Sequence, residues 1–220
     1  MSYGITLVNE AGNPWVTPSS IPIAFHSRQD FWIQDPRVLT AAEIYYDTSK
    51  PCFAFVVCYG GDSRPKSAET RTLYLDGKCR VEIIRGENNK NVSVYFFTIH
   101  EQPPTPFGIN IWDENGKLII NNETRTLSDV ASIGGGINAR EVRGGKWGVV
   151  PLVTGMITGV ITSGGMPRPY QAEYYANAYF DGNNTTISSV ENNSPGGNIS
   201  GVTWHNMNNH LLCVDLSRYD

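Results

Sequence analysis

The sequence predicts an all-β protein built from two tandem β-sandwich-like domains that share a duplicated N-terminal hairpin. Glycine (22) and proline (13) are frequent among the 220 residues, and only 17% of the residues are charged, below the usual fraction of about 25%. Apolar residues recur at every second position in several stretches, which is the period of a β-strand. One eleven-residue stretch occurs twice, and self-similarity at a fixed offset indicates repeated units.

The repeated stretch is YGITLVNEAGN at residues 3–13, and it returns as FGINIWDENGK at residues 107–117, an offset of 107 − 3 = 104 residues. The identical positions are Gly4/Gly108, Ile5/Ile109, Glu10/Glu114 and Gly12/Gly116. Each copy has alternating apolar residues followed by an Asx residue and a glycine, which predicts a strand that closes in a turn. Because Asn9 stands where the second copy has Asp113, we expect a turn acceptor there and not a general base. The alternative is chance similarity of two hairpins.

The two predicted domains are residues 1–103 and 104–220. Three prolines in the Pro-rich linker at residues 103–106 predict a stiff, extended spacer between them. Each half has about 100 residues, which is enough for a hydrophobic core of its own.

Five segments of the first half have recognisable patterns. Residues 21–25 predict an edge strand, because Pro22 cannot donate to a ladder. Residues 51–59 (PCFAFVVCY) are apolar on both faces and predict a central strand. Residues 71–84 carry Asp-Gly between alternating strands, which predicts a hairpin. Residues 92–99 predict a further strand, and residues 41–46 fit either a helical turn or the start of a strand.

The second half predicts strands separated by glycine-rich breaks. Residues 149–161 (VVPLVTGMITGVI) predict strands with bulges, and a fusion-type segment is the alternative. Residues 172–180 (AEYYANAYF) fit a helix or a strand, and we choose a strand. Residues 181–200 are polar and predict a mobile loop of the kind that often carries binding. Residues 201–205 and 211–216 predict the last strands.

Composition also limits the partners. A formal net charge of −4 argues against a non-specific nucleic-acid binder, which would carry a basic patch. The longest apolar stretch, residues 147–153, is too short to span a membrane. The first residues lack the basic region of a signal peptide, so we expect a protein made in a cytoplasm and not exported by a cleaved signal.

No catalytic, cofactor or metal signature is recognised in the sequence, which contains no G-x-S-x-G, no Walker loop and no H-E-x-x-H. The chain is therefore expected not to be an enzyme and to need no cofactor. His205 and His210, five residues apart, could form part of a metal site, but a polar turn is the plainer interpretation. The cysteines are expected to be buried free thiols; they are Cys52, Cys58, Cys79 and Cys213.

Aromatic residues next to loops are the remaining candidates for a binding surface. Tyrosine and tryptophan are favoured both where glycans stack and at protein interfaces. The candidate contact residues are Trp15, Trp147, Tyr174, Tyr175 and Trp204. The alternative for each of them is a place in an ordinary sandwich core.

The hairpin motif, [Tyr/Phe]-Gly-Ile-x-[Leu/Ile]-x-[Asn/Asp]-Glu-x-Gly, resembles a signature of a poorly characterised family of tailed-bacteriophage virion proteins. The resemblance covers residues 1–20 and 103–125, and it implies a structural part of a phage tail or tail tip with no catalytic residues. The first copy departs from the pattern at Pro14-Trp15, where the second has Leu118-Ile119. From the sequence, that departure leaves undecided whether the first hairpin has an outgoing strand.

Two hypotheses follow. The first is a structural virion component that assembles with other phage virion proteins and with copies of itself. The second is a module for host attachment that binds a surface glycan or receptor through residues 181–200 and Trp204. A hydrolase on the same scaffold is a third and weaker hypothesis, because the sequence offers no convincing acid/base pair.

Overall fold

A computed structural model of the chain describes residues 7–8, 14–16, 21–33, 39–60, 68–86, 89–113, 115–163, 165–191 and 199–220. These residues form eighteen strands and one short 3-10 helix, Gly136–Asn138. The predicted all-β class is therefore confirmed. Within the described ranges no helix has the length and hydropathy that crossing a membrane would require.

The strands are numbered along the chain. The first half contains β1 (Leu7–Val8), β2 (Pro14–Val16), β3 (Ala24–Ile33), β4 (Thr40–Tyr45), β5 (Cys52–Tyr59), β6 (Ala68–Leu75), β7 (Lys78–Gly86) and β8 (Lys90–Thr98). The second half contains β9 (Asn110–Trp112), β10 (Leu118–Asn121), β11 (Val130–Ile133), β12 (Arg140–Gly144), β13 (Trp147–Val149), β14 (Val153–Ser163), β15 (Met166–Phe180), β16 (Asn184–Glu191), β17 (Ile199–Asn206) and β18 (Leu211–Asp215).

Most strands belong to one eleven-stranded sheet. Its main path runs β11-β18-β13-β5-β15-β14-β17, and β3-β8 and β12-β16 branch from β5 and β15. A three-stranded sheet, β4-β7-β6, packs against the first-half part of this sheet. The hairpins β1-β2 and β9-β10 are separate two-stranded sheets.

Strand β5 is the central strand that its apolar sequence predicts, because both of its faces are buried. Ala54, Val56 and Cys58 pack in a cluster with side chains from β4, β6 and β7. Phe55 and Val57 point the other way, into a second cluster that includes β13, β15, β16 and β18. A strand covered on both faces has no room for alternating polar residues, which explains its continuous apolar run.

Hydrogen bonds and packing join the two halves of the chain. Val56 of β5 pairs antiparallel with Val149 of β13, and Cys58 pairs in parallel with Tyr179 of β15. The second core cluster likewise contains buried residues from both sides of the predicted boundary. The division at residues 103/104 stays a prediction, but the strands on its two sides share one sheet.

The two copies of the repeated motif form hairpins with the same register. The paired residues are Leu7↔Val16 and Val8↔Pro14 in the first hairpin and Ile111↔Ile120 and Trp112↔Leu118 in the second. Adding 104 to the residue numbers of the first hairpin's pairs gives the pairs of the second hairpin. Both ladders also skip one residue at the matching place, which is Trp15 in the first hairpin and Ile119 in the second. The repeat is therefore a repeat of backbone geometry, and the first hairpin keeps its outgoing strand despite Pro14.

Asp113 acts as the turn acceptor that the repeat predicts. Its Oδ1 accepts hydrogen bonds from the backbone N–H groups of Asn115 (2.9 Å) and Lys117 (2.8 Å). Gly116 has a φ of 77°, which a residue with a side chain rarely adopts. Asp113 thus closes the hairpin between β9 and β10.

The expectation of a mobile loop over residues 181–200 is wrong for its central part. Asn184–Glu191 forms β16, which pairs with β12 and with β15. Thr185 and Ile187 are buried while the residues next to them are partly exposed, so the segment alternates with period two. Its asparagine and serine content hid that alternation, and residues 192–198 lie outside the described residues. By contrast, residues 172–180 form part of β15, as predicted.

Candidate functional site

The structure brings together two of the five predicted contact residues. The rings of Tyr174 on β15 and Trp204 on β17 have centroids 5.9 Å apart, and Trp204 is 56% exposed. The Tyr174 hydroxyl donates to Glu191 Oε2 (3.3 Å). Burial, followed by the Glu191 charge, raises the pKa of Tyr174 to about 12, so its hydroxyl remains protonated at neutral pH.

Trp147 lies apart from this pair, in β13, where it is half-buried and packs against the larger core. Its Nε1 donates to Gly144 O (2.9 Å), and the Arg143 guanidinium lies 4.6 Å from its ring centroid. Tyr175 is only 4% exposed, and its hydroxyl donates to Glu173. The side chain of Trp15 lies outside the described residues.

Tyr174 and Trp204 belong to a three-stranded extension, which we call the outer sheet: β14, residues 166–175 of β15, and β17. β14 is its middle strand and pairs with β15 over nearly its whole length. Ile157 pairs with both Ala172 and Trp204, so these side chains share one face. Ile157 and Ala172 are buried in a small apolar cluster, whereas Trp204 remains exposed at its margin.

Two glycines of β14 allow β17 to lie close to it. A Cβ at Gly155 would lie 2.5 Å from His205 O, and one at Gly159 would lie 3.1 Å from Ser200 O. Both contacts are with backbone atoms, which cannot move aside as a flexible side chain can. The close approach of β17, together with Ile137, whose Cγ2 would lie 2.4 Å from a Cβ at Gly155, therefore accounts for the two glycines of the segment VTGMITGVI.

The far side of β17 is an open edge. Among the described residues β17 pairs only with β14. Its sequence, ISGVTWHN, contains no proline and no charged residue, and residues 200–205 are all exposed. Such an edge presents unpaired backbone groups to any other extended chain.

Other long edge strands carry the charges that commonly protect an edge. These charged residues are Arg28 and Asp30 in β3, Glu43 in β4, Glu69 and Arg71 in β6, and Arg140, Glu141 and Arg143 in β12. Strand β11 is uncharged but only four residues long. Within the described part of the chain, β17 is thus the long edge without electrostatic protection.

A second cluster of chemically active side chains surrounds Asp220. Its carboxylate accepts hydrogen bonds from the Tyr95 hydroxyl, from Lys146 Nζ (2.9 Å) and from Arg28 Nη1 (2.7 Å). Partial burial tends to raise the pKa of Asp220, but the hydrogen bonds from Tyr95 and Lys146 and the two cations outweigh it, and the pKa is lowered. Asp220 is therefore an ionised, fully engaged carboxylate, which suits a structural role.

A third candidate is an open cleft of about 620 Å³ beside two histidines whose rings meet edge to face. The ring centroids of His26 and His100 are 4.9 Å apart. His100 Nδ1 lies 3.3 Å from Thr98 O, and Gln102 Nε2 lies 3.0 Å from His100 Nε2, which assigns the neutral tautomer with its proton on Nδ1. Burial lowers the pKa of both histidines, and their mutual repulsion lowers that of His26 further.

The remaining histidines do not come together. His205 Nε2 lies 3.2 Å from Thr158 Oγ1, whereas His210 Nδ1 lies 3.0 Å from Ser132 Oγ. In the part of the chain that the structure describes, no three His, Cys, Asp or Glu residues are grouped as metal ligands would be. All four cysteines are buried thiols outside any disulfide, as the sequence predicts.

Comparison with known proteins gives no further assignment: no protein-family model, no curated protein and no solved structure matches this chain.

Sequence reasoning identified Trp204 but missed the residues that flank it, Val202 and Thr203. Their significance comes from the position of β17 at the end of the sheet, which depends on pairings between distant parts of the chain. The available signal was the uncharged run at residues 199–206, in contrast to the charged edge strands.

Proposed function

We propose that this chain is a non-enzymatic structural protein that acts through protein–protein contacts, as a component of the tail or tail tip of a tailed-bacteriophage particle. The observation that carries the proposal is the outer sheet, whose uncharged edge strand β17 exposes Val202 and Trp204 beside an unpaired backbone. Surfaces of this kind support association by strand addition.

The placement in a phage particle rests on the resemblance of the hairpin motif. The equal register of β1-β2 and β9-β10 supports the motif as a structural unit, since both copies keep the same pairs and the same skipped residue. A protein that carries such a unit twice offers two similar hairpins to its neighbours in an assembly.

The ionisable side chains support a non-catalytic role. Asp113 closes a turn, Asp220 joins three neighbours, and His100 is held by Thr98 and Gln102. Each of these groups has partners that explain its position within the fold. An acid/base function is not needed to account for any of them.

The direct test is quantitative mass spectrometry of density-purified particles of the phage that encodes the chain. We expect its peptides at a fixed, integral ratio to those of a tail protein of known copy number. Absence from purified particles, with the protein abundant in the lysate, would refute the proposal.

A second candidate function is recognition of a glycan on the bacterial surface, favoured by the exposed Trp204 beside Tyr174, whose hydroxyl donates to Glu191. An aromatic ring next to hydrogen-bonding groups can stack on a sugar face and bind its hydroxyls. Titration with oligosaccharides from the host surface should then quench tryptophan fluorescence, and Trp204→Ala should abolish the change. A matched Trp32→Ala variant, which removes an exposed tryptophan from β3, should retain it.

A further inference from the structure

We propose that two copies of this chain join through β17, which pairs antiparallel with β17 of the second copy about a two-fold axis at Thr203. The inference rests on the proposed function, because it names the partner of the same exposed edge. It also goes beyond that function, since it fixes the symmetry and the register of the contact.

The direction of the backbone groups limits the register. Met207 N donates to Thr154 O (3.1 Å), and the pairs from Thr203 to Asn206 follow in regular order along β14. In an antiparallel ladder, alternate residues direct both N–H and C=O to the same neighbour. Thr203 and His205 therefore bond to β14, and Trp204 directs both of its backbone groups to the open edge. The Val202 C=O shares a peptide unit with the Thr203 N–H and so also faces the open edge, whereas the pairing with β14 shifts register between Thr203 and Ser200.

A second copy can pair only where outward-directed residues face each other. The axis at Thr203 satisfies this condition, because Val202 of each copy then opposes Trp204 of the other copy. At each end the Trp204 N–H donates to Val202 O of the other copy, which gives about two backbone hydrogen bonds. Thr203 opposes its own counterpart at a position without hydrogen bonds, where Cα atoms are closest, about 4.5 Å apart.

The side chains in this register complement each other. Aromatic residues opposite β-branched residues, and threonine opposite threonine, are favourable cross-strand pairs. Gly201 has a φ of 61° and lies in the register shift of β17, so the regular pairing in this register ends at Val202.

The charge of the strand favours a second copy as the occupant. A two-fold interface joins the same surface patch of both copies. A charged residue in that patch is therefore placed close to an equal charge of the second copy. Residues 199–206 contain no Lys, Arg, Asp or Glu, and self-pairing therefore desolvates no ionised side chain. If one copy paired instead with a basic or acidic strand of another protein, this uncharged edge would contribute no charge attraction.

The first experiment measures solution mass by light scattering across concentration. One chain has a mass of 24.3 kDa, so the expected dimer has 2 × 24.3 = 48.6 kDa. Thr203→Lys places two like charges directly opposite each other and should return the mass to that of a monomer. Mixing Thr203→Lys with Thr203→Glu should restore the dimer, which separates loss of pairing from loss of folding.

The matched control is Thr162→Lys, because Thr162 is also an exposed threonine of the outer sheet but lies on β14 beyond the β17 pairs. It should leave the dimer intact. A monomeric wild type at every concentration, or a dimer that persists in Thr203→Lys, would overturn the proposal.

The second experiment tests the register with Thr203→Cys. The native cysteines are buried, so a new thiol at the axis should give a covalent dimer on a non-reducing gel after mild oxidation by a small-molecule disulfide such as oxidised glutathione. The thiolate attacks this disulfide, and the second protein thiolate then displaces the remaining glutathione, so that two protein thiols are oxidised and two glutathione thiols are released. Equal cross-linking of Thr162→Cys would count against the register.

The outcomes separate this inference from the proposed function. A chain that is present in particles but monomeric in solution, with no cross-link at position 203, refutes the self-pairing and leaves the structural role standing. A dimer that behaves as described but is absent from purified particles refutes the structural role and leaves the pairing standing.

Discussion

Asp220 shows how one side chain can connect distant parts of this sequence. It receives hydrogen bonds from Arg28 of β3, Tyr95 of β8 and Lys146 before β13. The neighbouring Tyr219 is buried, and its ring packs against Phe97 with centroids 4.8 Å apart. These contacts attach the segment after β18 to strands β3 and β8 of the first half.

Asp220→Asn tests the stabilisation that the network provides. Removing the charge weakens three hydrogen bonds but keeps the shape, and because the side chain is 39% exposed we expect a loss of only about 1–2 kcal/mol after allowance for screening. Urea unfolding at neutral pH measures it. Asp129→Asn, which removes an exposed carboxylate paired with Arg218, is the control and should cost no more than about 0.5 kcal/mol.

The same variant has a pH signature. The folded-state pKa of Asp220 lies below the unfolded value of about 3.9, so its stabilisation is fully present above that pH and is lost as the pH falls through the folded-state pKa. The stability difference between wild type and Asp220→Asn should therefore shrink below about pH 4. A difference that stays constant down to about pH 2 would contradict the assignment of an ionised, hydrogen-bonded carboxylate.

His26 and His100 predict a second acid-sensitive contribution at higher pH. Burial lowers their pKa values below 6.5, so the unfolded chain binds protons first and stability falls as the pH drops through about 6.5 towards the folded-state values. His26→Gln should reduce the decrease in Tm between about pH 7.5 and about pH 5. An unchanged decrease in His26→Gln would show that the burial of this histidine does not contribute to the pH dependence.

Among the elements, the β6-β7 hairpin gives the clearest link from sequence to geometry. Asp76 and Gly77 connect the strands with φ values of 51° and 76°, the two positive angles that a tight hairpin turn requires. Aspartate and glycine are among the residues that tolerate this conformation, so the sequence predicted both the hairpin and its turn.

Gly77→Ala should destabilise the protein by about 1–2 kcal/mol, because alanine is strained at positive φ. A Cβ at Gly77 would have no heavy atom within 4 Å, so the cost comes from the backbone angle alone. Gly144→Ala is the matched control, since Gly144 is equally open but its φ lies outside the left-handed region. Chemical denaturation of both variants measures the difference; equal stabilities would show that the turn is not held in this conformation.

Local sequence patterns predicted the elements in which apolar residues recur regularly. They failed where polar residues occupy most positions of a strand, so that its period of two is not visible. Strand β5, the β6-β7 hairpin and residues 172–180 of β15 were predicted because consecutive residues carry the signal. Strand β16 was missed because threonine, serine and asparagine occupy most of its positions and resemble a loop. Its pairing with β12 and β15 is what makes the segment a strand, and such long-range pairing is not encoded in any short stretch.

At the scale of the whole molecule, the candidate site depends on which strand ends the sheet. Tyr174 and Trp204 were selected as exposed aromatics, but neither their contact nor the open edge of β17 follows from local sequence. Both arise because β14 lies between β15 and β17, and this order results from the entire topology. The sequence predicted that aromatic residues form the candidate contact surface. Only the pairing of distant strands showed where in the molecule that surface lies.

The sharing of one sheet by the two halves predicts a single unfolding transition. β5 pairs with β13 and β15, and Phe55 lies in a core with residues of the second half, so neither half keeps its core when the other unfolds. Differential scanning calorimetry should give one peak whose calorimetric and van't Hoff enthalpies agree. Phe55→Ala, expected to cost about 3–5 kcal/mol, should move that whole peak to lower temperature. Two peaks, with only one of them moved by the substitution, would instead establish residues 1–103 and 104–220 as independent domains.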